Sequence, residues 1–535
     1  MLAVAAPAPA AGARAASSEA PAADPAVAAV TSRVVPVPAS VRPGGGAFRI
    51  TSSARVELDA ASAGAARDVA DYVAGLLRPA TGYALPVVTG GAARGVAEGG
   101  AAAGDPAGVV LALGDTDQGL GDEGYRLRTT DSAVVISART AAGLFHGAQT
   151  LRQLLPASVE SRSPVRDTAW TVPDTDIRDV PRYAYRGAML DVARHFFTVA
   201  QVERFIDELA LYKVNTLHLH LTDDQGWRIA IDSWPRLTAY GGSTQVGGGR
   251  GGSYSQDDYR EIVRHATARF LTVVPEIDGP GHTNAALASY PELNCGGSAP
   301  PLYTGTAVGF SSLCAPLETT YAFLDDVIGQ IAALTPGPYL HIGGDEAQST
   351  SQTDYATYVD RVQRLVAGYG KTVIGWHQIV GASPAPGTIA QYWGTAGNET
   401  EVAAAARAGT RVIMSPANRA YLDMKYTSST ALGKAWAGYV EVRTAYDWDP
   451  ATFVQGVPAS AVDGVEAALW TETLATTADL DDMAFPRLPG IAELGWSPAA
   501  THDWGTYRVR LAAQAPRWDA LGIGYYRSPQ VSWPS

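Results

Sequence analysis

Cysteine is scarce in this sequence, since only Cys295 and Cys314 occur among 535 residues. A Gly/Pro-rich stretch separates the two, and the additional ligands that a zinc site requires do not accompany them. The pair is therefore interpreted as a disulfide that closes a loop, with two unpaired thiols as the alternative. A disulfide would indicate an oxidising compartment outside the cytoplasm.

The sequence also lacks long apolar runs and clusters of basic residues. No apolar run is long enough to span a membrane. The formal net charge is -13 and the positive charges are scattered, which argues against both nucleic-acid binding and a polybasic membrane patch. A neutral or amino-sugar ligand suits this surface, whereas a polyanion does not. The composition predicts no particular oligomeric state.

The first 32 residues lack a basic start ahead of a long apolar segment and consist mainly of Ala, Pro and Ser. This composition fits the end of a secretory signal followed by a flexible leader, and Ala3-Val4-Ala5 is compatible with cleavage nearby. We therefore expect residues 1–32 to be disordered and the protein to be secreted to the extracellular space.

Residues 33–180 mix short β-type runs with two helical patterns, which predicts an α+β domain. Helices are expected at Ala65–Leu77 and Thr140–Leu155, and strands at 47–50, 109–113, 125–128 and 133–137. The Gly/Ala-rich stretch 89–108 is interpreted as a surface loop. The Pro-containing stretch 174–185 is interpreted as the connection to the next domain.

Residues 181–535 show a different pattern, in which eight apolar runs are mostly followed by helical patterns. Such strand–helix repeats predict a (β/α)8 TIM barrel with C-terminal helices, so the fold class is α/β with a smaller α+β domain ahead of the barrel. The runs lie at 188–192, 216–221, 271–277, 339–343, 372–376, 388–393, 411–414 and 465–470.

Polar and aromatic residues gather at the ends of these runs, which is where barrel enzymes place their chemistry. Eight independent loops are not expected to collect such a set by chance. Aromatic rings bind the apolar face of a sugar and charged groups bind its hydroxyls, so the set predicts a carbohydrate site. In chain order, the set is Arg194, His195, Asp223, Asp224, Trp227, Asp278, His282, Asp345, Glu346, Trp376, Trp393, Tyr421, Asp423, Trp470 and Glu472.

The fourth run ends in two adjacent acids, Asp345 and Glu346, which follow two glycines. The glycines permit a sharp turn, and neighbouring residues can share a pocket only where the strand has ended. Crowding of two carboxylates raises the proton affinity of at least one of them, which suits a general acid. Taken alone, the same octapeptide fits a polar loop that caps a helix equally well.

Five blocks of the sequence carry these residues. They are Leu190-Asp191-Val192-Ala193-Arg194-His195-Phe196-Phe197, His218-Leu219-His220-Leu221-Thr222-Asp223-Asp224-Gln225-Gly226-Trp227-Arg228, Pro275-Glu276-Ile277-Asp278-Gly279-Pro280-Gly281-His282, His341-Ile342-Gly343-Gly344-Asp345-Glu346 and Trp470-Thr471-Glu472. Together they resemble the motifs of the family 20 β-N-acetylhexosaminidases, and the α+β domain ahead resembles the one that this family carries.

The resemblance implies a retaining hydrolysis in which the 2-acetamido oxygen of the substrate attacks the anomeric carbon and forms an oxazolinium ion. Glu346 matches the general acid/base, Asp345 the acceptor of the acetamido N–H, and Tyr421 the donor to the acetamido oxygen. The implied activity is exo. It removes terminal non-reducing N-acetylglucosamine, and N-acetylgalactosamine as well, from glycans or chito-oligosaccharides. The sequence does not distinguish the two sugars.

The resemblance also implies which residues bind the sugar. The walls of the acetamido pocket would be Trp376, Trp393 and Trp470. The clamp on the sugar hydroxyls would be Arg194, Asp423 and Glu472. Behind the catalytic residues, Asp223 would contact His282, with Asp278 and Asp224 as neighbours that could take the same role or stabilise loops. The outer part of the site is assigned to Trp436.

No metal and no cofactor is predicted. His218 and His220 alternate on one strand, and two side chains on one face of a barrel strand are interpreted as core residues rather than metal ligands. The Gly-rich stretch 241–252 lacks the Lys-Ser/Thr ending of a phosphate-binding loop and is interpreted as a mobile loop.

Two other functions stay open at this point. A lacto-N-biosidase-like relative that releases a disaccharide needs a roomier closed end than a clamp of Arg194, Asp423 and Glu472 leaves. A non-hydrolytic glycan-binding protein built on the same barrel would have no need of Glu346 and Tyr421.

Overall fold

The first domain is built on a seven-stranded mixed sheet, as shown by a computed structural model that describes residues 25–60, 63–90 and 108–534. Its strands are β1 (Ser40–Arg49), β2 (Arg55–Asp59), β3 (Val87–Gly90), β4 (Gly108–Leu113), β5 (Tyr125–Thr129), β6 (Ala133–Ala138) and β7 (Thr171–Asp179). They lie side by side in the order β1-β7-β5-β6-β4-β2-β3. The β6-β4-β2-β3 half is parallel, and β1, β7 and β5 are antiparallel to their neighbours.

Among the described residues, three helices accompany this sheet: α1 (Pro25–Thr31), α2 (Arg67–Thr81) and α3 (Ala141–Leu154). In α2, Val69, Val73 and Leu77 recur at a spacing of four and are all buried, so the helix presents one apolar face to the core. Helix α3 is buried along nearly its whole length and packs against β5 and β6.

The structure bears on the expectations for residues 1–32, 89–108 and 174–185. Residues 25–31 form α1 and bury Val30 in the core, so the predicted disorder of residues 1–32 is wrong for this part. Residues 1–24, and most of the loop predicted at 89–108, lie outside the described residues. The stretch 174–185 is not a simple connection, because residues 174–179 belong to β7, an interior strand of the sheet.

The second domain is a closed barrel of eight parallel strands, and each predicted apolar run overlaps one of them. The barrel strands are β8 (Tyr185–Asp191), β9 (Thr216–His220), β12 (Thr272–Glu276), β13 (Tyr339–His341), β14 (Thr372–Trp376), β15 (Ile389–Tyr392), β16 (Arg411–Met414) and β17 (Val462–Leu469). A short hairpin of β10 (Thr222–Asp223) and β11 (Gly226–Trp227) follows β9. The barrel strands are buried almost throughout, which explains why they read as continuous apolar runs.

Helices connect the barrel strands, and further helices follow the last strand, β17. They are α4 (Val199–Ala210), α5 (Gln256–Thr267), α6 (Asn284–Ser289), α7 (Glu318–Leu334), α8 (Gln352–Gly368), α9 (Thr400–Arg407), α10 (Ala417–Ala420), α11 (Val442–Tyr446), α12 (Thr477–Ala484), α13 (Leu488–Trp496), α14 (Trp504–Ala512) and α15 (Ala515–Leu521). Capping boxes at Ser255 and Thr476 begin α5 and α12. Within the described residues, no helix combines the length and apolar character needed to cross a membrane.

A buried polar contact joins the two domains. The Oδ2 atom of Asp179, at the end of β7, accepts hydrogen bonds from Lys213 Nζ at 2.9 Å, Trp496 Nε1 at 2.9 Å and Tyr125 Oη at 2.7 Å. Lys213 follows α4 and Trp496 ends α13, so one carboxylate of the first domain is bound by two groups of the barrel domain. A buried carboxylate held by several donors fixes the relative orientation of the two domains, because separating the domains would leave the carboxylate and its donors unpaired.

Cys295 and Cys314 form the predicted disulfide, with their Cα atoms 5.0 Å apart. No free cysteine occurs in the described part of the chain, so the alternative of two unpaired thiols does not hold. The disulfide closes the segment that follows α6, on the side of the barrel where β12 ends.

Candidate active site

The turn after β13 carries the two adjacent acids at the carboxyl end of the barrel. Gly343, Gly344 and Glu346 have φ angles of 66°, 102° and 47°. A Cβ atom at position 343 would lie 1.6 Å from Oδ1 of Asp278, so only glycine fits there. The left-handed conformation of Glu346 is strained for a residue with a side chain, and such strain is concentrated at functional sites.

His282 lies directly behind the two acids. Its Nε2 atom is 3.6 Å from Oδ2 of Asp345 and 3.4 Å from Oε2 of Glu346. Its Nδ1 atom is 3.3 Å from Oδ1 of Asp223. Burial disfavours the charged imidazole, yet the carboxylates of Asp223 and Asp345 raise the pKa of His282 well above its ordinary value. A buried imidazolium therefore faces the acid pair.

Asp223 connects His282 to the opposite side of the site. Its Oδ2 atom is 2.7 Å from Nη2 of Arg194 and 3.0 Å from Nε2 of His220. Burial works against ionisation of this carboxyl group, but Arg194 and His282 hold the pKa of Asp223 well below its ordinary value. The carboxylate thus compensates cationic groups on both sides.

The neighbouring acids have different surroundings. Asp224 accepts hydrogen bonds from Ser311 Oγ and from the backbone N–H of Asn284, and its Oδ2 atom lies 4.0 Å from His282 Nδ1. It therefore ties loops together, and Asp223 is the closer partner of His282. Asp278 accepts the backbone N–H of Gly344 at 3.2 Å, which supports the turn that carries the acid pair.

Burial raises the pKa of Asp345 from 3.8 to about 6, with His282 opposing this rise and the charge of Glu346 adding to it. Burial and the charge of Asp345 likewise raise the pKa of Asp278 well above its ordinary value. Asp345 is therefore a carboxyl group that changes charge close to neutral pH.

A cavity of about 300 Å³ opens beside the acid pair. The solvent exposure of its lining increases from a buried end to an exposed rim. The side chain of Arg194 is only 5% exposed, whereas Trp436 is 56% exposed. The cavity is lined by Arg194, Thr306, Val308, Asp345, Glu346, Trp393, Tyr421, Asp423, Lys434, Trp436, Trp470 and Glu472.

Several polar atoms of the cavity lining are buried without a hydrogen-bond partner among the described residues. A buried polar group without a partner is costly, so these atoms mark positions where a polar ligand would complete the hydrogen bonding. They are Arg194 Nε, Asp345 Oδ1, Asp423 Oδ1, Trp470 Nε1 and Glu472 Oε2.

An aromatic cluster forms one side of the cavity. The ring of Tyr421 lies 6.1 Å from Trp470 and 6.0 Å from Trp436, and Trp393 lies 5.8 Å from Trp436. Trp376, predicted as a further wall, packs against Trp470 at a ring distance of 5.7 Å and is fully buried. Its Nε1 atom donates a hydrogen bond to Glu276 inside the barrel.

Burial and neighbouring charges raise the proton affinity of two groups at the buried end. Burial, together with the charges of Asp345 and Asp423, raises the pKa of the Tyr421 hydroxyl well above its ordinary value, so it remains a hydrogen-bond donor. Burial and the charge of Glu472 raise the pKa of Asp423 well above its ordinary value.

The sequence interpretation missed three residues of the lining: Lys434, Thr306 and Val308. The Nζ atom of Lys434 is 3.9 Å from Oε1 of Glu472, and its backbone N–H binds the carbonyl of Asp423 at 2.9 Å. The other two lie in the loop closed by the disulfide. None of the three directly follows a strand, so position in the barrel pattern gave no signal for them. Trp436, assigned from sequence to the outer part of the site, does lie at the exposed rim.

His218 and His220 lie inside the barrel, as expected for core residues. Nδ1 of His218 is 2.8 Å from Glu466 Oε1, and Nδ1 of His220 is hydrogen-bonded to Glu276. With His341, His218 and Glu276 bring three potential ligand atoms within 4.8 Å of one another, which is a spacing that could hold a metal ion. The rings of His218 and His341 also lie 3.0 Å from the buried carboxylate of Glu276.

Comparison with known proteins identifies the family. Residues 31–180 match the family model for glycosyl hydrolase family 20, domain 2, and residues 183–357 and 351–499 match that for the family 20 catalytic domain. The chain belongs to glycosyl hydrolase family 20. The predicted fold, a TIM barrel preceded by a smaller α+β domain, is thereby confirmed.

Similar proteins agree with this assignment. A β-N-acetylhexosaminidase from Cellulomonas fimi is 48% identical over 431 residues, which cover 81% of this chain and 85% of that protein. The family 20 β-N-acetylhexosaminidase from Streptomyces coelicolor A3(2) superposes with a TM-score of 0.89 at 61% identity and covers 94% of this chain and 99% of its own. A mutant Streptomyces plicatus β-hexosaminidase in complex with its product GlcNAc gives 0.88 at 61% identity, over 94% and 98% of the two chains. This family 20 chain is a glycoside hydrolase of the β-N-acetylhexosaminidase class.

Proposed function

We propose that this family 20 enzyme is exo-acting and retaining, and that it removes terminal non-reducing N-acetylglucosamine and N-acetylgalactosamine. The 2-acetamido oxygen of the substrate attacks the anomeric carbon while Glu346 gives a proton to the leaving oxygen. A water molecule then opens the oxazolinium ion and returns its proton to Glu346. The enzyme itself forms no covalent bond to the sugar.

The single observation that carries the exo assignment is the buried end of the cavity. Arg194, Asp423 and Glu472 line that end, and each has a buried polar atom that finds no hydrogen-bond partner in the described part of the chain. The hydroxyls of one terminal sugar would supply those partners. A further sugar attached at this end would displace the contacts and leave buried charges unpaired, at a cost of roughly 3 kcal/mol or more. The volume of about 300 Å³ also supports a single ring, since small-molecule pockets start at roughly that size.

The arrangement around Asp345 supports participation of the acetamido group. Its Oδ1 atom is buried and free to accept the acetamido N–H, which balances the positive charge that grows on the group. The hydroxyl of Tyr421 stays protonated and can donate to the acetamido oxygen. Holding the group beside the anomeric carbon makes the attack intramolecular, which is worth several powers of ten in rate.

Activity on both sugars is supported by the pair of acids at the buried end. The two sugars differ in the orientation of the 4-hydroxyl. Asp423 and Glu472 each offer an unpartnered oxygen, so an acceptor is available in more than one direction. The GlcNAc product bound to the Streptomyces plicatus relative supports the gluco sugar as a substrate.

We also propose that the enzyme is exported. Support comes from the disulfide between Cys295 and Cys314, because structural disulfides persist in oxidising compartments. Fractionation of the producing organism would test this, with activity confined to the cytosol as the contrary result.

The mechanism is tested with matched aryl glycosides of N-acetylglucosamine, N-acetylgalactosamine and glucose. We expect turnover of both 2-acetamido substrates, no turnover of the glucoside, and strong inhibition by a thiazoline analogue of the oxazolinium ion. Comparable turnover of the glucoside would mean that an enzyme carboxylate attacks the sugar.

The exo assignment is tested with chito-oligosaccharides. They should shorten by one residue at a time from the earliest time points, and blocking O4 of the terminal sugar should stop the reaction. Early release of disaccharides would favour the lacto-N-biosidase-like alternative and would show that the buried end is more open than proposed.

A further inference from the structure

A row of four polar residues on neighbouring strands lies inside the barrel, directly below the catalytic turn. The strand register aligns Asp191 of β8 with His220 of β9, His220 with Glu276 of β12, and Glu276 with His341 of β13. All four side chains are fully buried. Barrel interiors are ordinarily filled with branched apolar side chains, so a buried polar row at this depth indicates a role beyond packing.

Glu276 contacts two of the other members of this row. One carboxylate oxygen, Oε1, accepts a hydrogen bond from Trp376 Nε1 at 2.9 Å and lies 3.0 Å from His341 Nδ1. The other, Oε2, is bonded to His220 Nδ1 and lies 3.0 Å from His218 Nε2. Glu276 itself does not line the cavity.

A continuous series of contacts leads from Glu276 to the catalytic pair. The other ring nitrogen of His220 is 3.0 Å from Asp223, Asp223 contacts His282 at 3.3 Å, and His282 lies 3.4 Å from Oε2 of Glu346. Glu346 is the most exposed member, with 29% of its side chain accessible, and it sits on a strained turn. Its carboxyl group therefore depends on contacts from behind for its orientation.

We propose that Glu276 is a positioning residue for the general acid, acting through His220, Asp223 and His282 on Glu346. The inference rests on the proposed function of Glu346. Glu276 fixes one nitrogen of His220, which leaves the other nitrogen aimed at Asp223, and the orientation of each later member follows from the one before it.

The charges along this series support the proposal. Burial works against both ions, yet the pKa of Glu276 is held well below its ordinary value by His220, His341 and His218. Burial would lower the pKa of His220, but Glu276 and Asp223 raise it well above its ordinary value. His220 is therefore a cation, and its hydrogen bond to Asp223 is charge-assisted, which makes it stronger and more directional.

The test uses Glu276→Gln in the full-length enzyme. Glutamine keeps the size of the side chain and an acceptor for Trp376, but it removes the charge that holds His220 protonated. The readout is the dependence of kcat/KM on the leaving group, because only poor leaving groups need protonation by Glu346. Glu346→Gln provides the reference pattern.

We expect Glu276→Gln to lower kcat/KM at least about tenfold for alkyl 2-acetamido glycosides and less than about threefold for the 2,4-dinitrophenyl glycoside. Inhibition by the thiazoline should change little, because the acetamido pocket is intact. His220→Gln, which keeps a donor toward Asp223 but loses the link to Glu276, should show the same dependence on the leaving group. A uniform loss over the whole series, or failure of both variants to fold, would assign Glu276 a structural role and overturn the proposal.

Glu466→Gln is the matched control. Glu466 is equally buried in the barrel, and its carboxylate is bonded to Tyr185, His218 and Gln391; within the described residues it makes no hydrogen bond or ion pair with His220 or Asp223. Its replacement should alter stability without a leaving-group dependence, and an equal dependence in this variant would contradict a specific series through His220. Failure of the proposed function is distinguishable, because it would show in the wild-type enzyme and in Glu346→Gln, neither of which alters Glu276.

Discussion

The guanidinium group of Arg194 and the carboxylate of Asp223 lie 2.7 Å apart, and their side chains are only 5% and 1% exposed. This ion pair joins the buried end of the sugar cavity to the group that orients the catalytic acids, because Asp223 also contacts His282. The buried end of the cavity and the acid pair therefore share one carboxylate.

Replacement of that carboxylate should affect stability and catalysis together. In Asp223→Asn, the buried cations Arg194 and His282 lose a counterion that they share, and breaking a buried pair costs about 3–5 kcal/mol. We expect a loss of this size in the free energy of unfolding, measured with urea, and a fall in kcat/KM. Asp257→Asn is the control, because Asp257 and its partner Arg260 are 92% and 53% exposed and such pairs contribute at most about 1 kcal/mol. Similar losses in both variants would show that the Asp223 pair is solvated.

The acidic limb of the pH profile should report Asp345. In the proposed mechanism this residue is ionised when it accepts the acetamido N–H, and burial raises its pKa to about 6. We therefore expect kcat/KM to fall by about tenfold per pH unit below that value, since one proton is taken up. The proposed role would be contradicted by a profile that stays flat down to the ordinary range of a carboxyl group.

The raised pKa of Asp345 also predicts how the stability of the fold depends on pH. Its pKa in the folded state lies above the ordinary value of 3.8, so between about 4 and about 6 the folded state binds more protons than the unfolded state. The free energy of unfolding should therefore decrease as the pH rises through this window, by at most about 3 kcal/mol. Asp345→Asn should lack this decrease. Parallel stability curves for the two proteins would argue against a raised pKa.

The barrel and the positions of the acids could be predicted from sequence because they depend on local patterns. A strand buried on both faces gives an apolar run, and chemistry follows where the run ends. Strand β1 gave no such pattern over most of its length, because Pro43 and three glycines lie in an exposed edge strand that is held by its pairing with β7. Pairing between distant segments leaves no local signal.

The same limit applies to the site. Lys434 reaches the cavity because Gly433 adopts a φ angle of 88° and lies so close to the Asp423 carbonyl that a Cβ would approach it to 2.3 Å. Trp376 is held by a hydrogen bond to Glu276, a residue 100 positions earlier. Contacts of this kind depend on the closed barrel and cannot be read from spacing along the chain.

The turn after β13 should tolerate no side chain at Gly343. Alanine there would adopt a φ angle of 66° and place its Cβ 1.6 Å from Asp278 Oδ1, so the turn or Asp278 must move. We expect Gly343→Ala to reduce kcat/KM strongly and to destabilise the fold by more than about 2 kcal/mol.

A matched control exists at Gly370, which has a φ angle of 72° and no atom within 4 Å of the point where a Cβ would lie. Gly370→Ala should cost only about 1 kcal/mol and leave activity unchanged, because it carries the conformational strain without the steric clash. Equal activity of the two variants would show that the position of the acid pair does not depend on the tight turn.

The disulfide should stabilise the fold more than it shapes the site. Cys295 and Cys314 enclose the loop that brings Thr306 and Val308 to the cavity, but this loop is also held by hydrogen bonds. The carbonyl of Gly305 accepts from Gln225 Nε2 at 2.9 Å, and that of Thr304 accepts from the N–H of Gly247 at 2.9 Å. These bonds remain when the disulfide is removed.

In the double variant Cys295→Ser, Cys314→Ser we therefore expect the free energy of unfolding to fall by about 3 kcal/mol, the value for a loop of this length. The kcat/KM for chito-oligosaccharides, whose leaving sugar would contact the loop, should change much less than stability. Urea denaturation and oligosaccharide kinetics on the same preparation measure the two effects, with reduced wild-type enzyme as the second reference. A large rise in KM with unchanged stability would instead show that the covalent link, rather than the hydrogen bonds, holds the loop over the cavity.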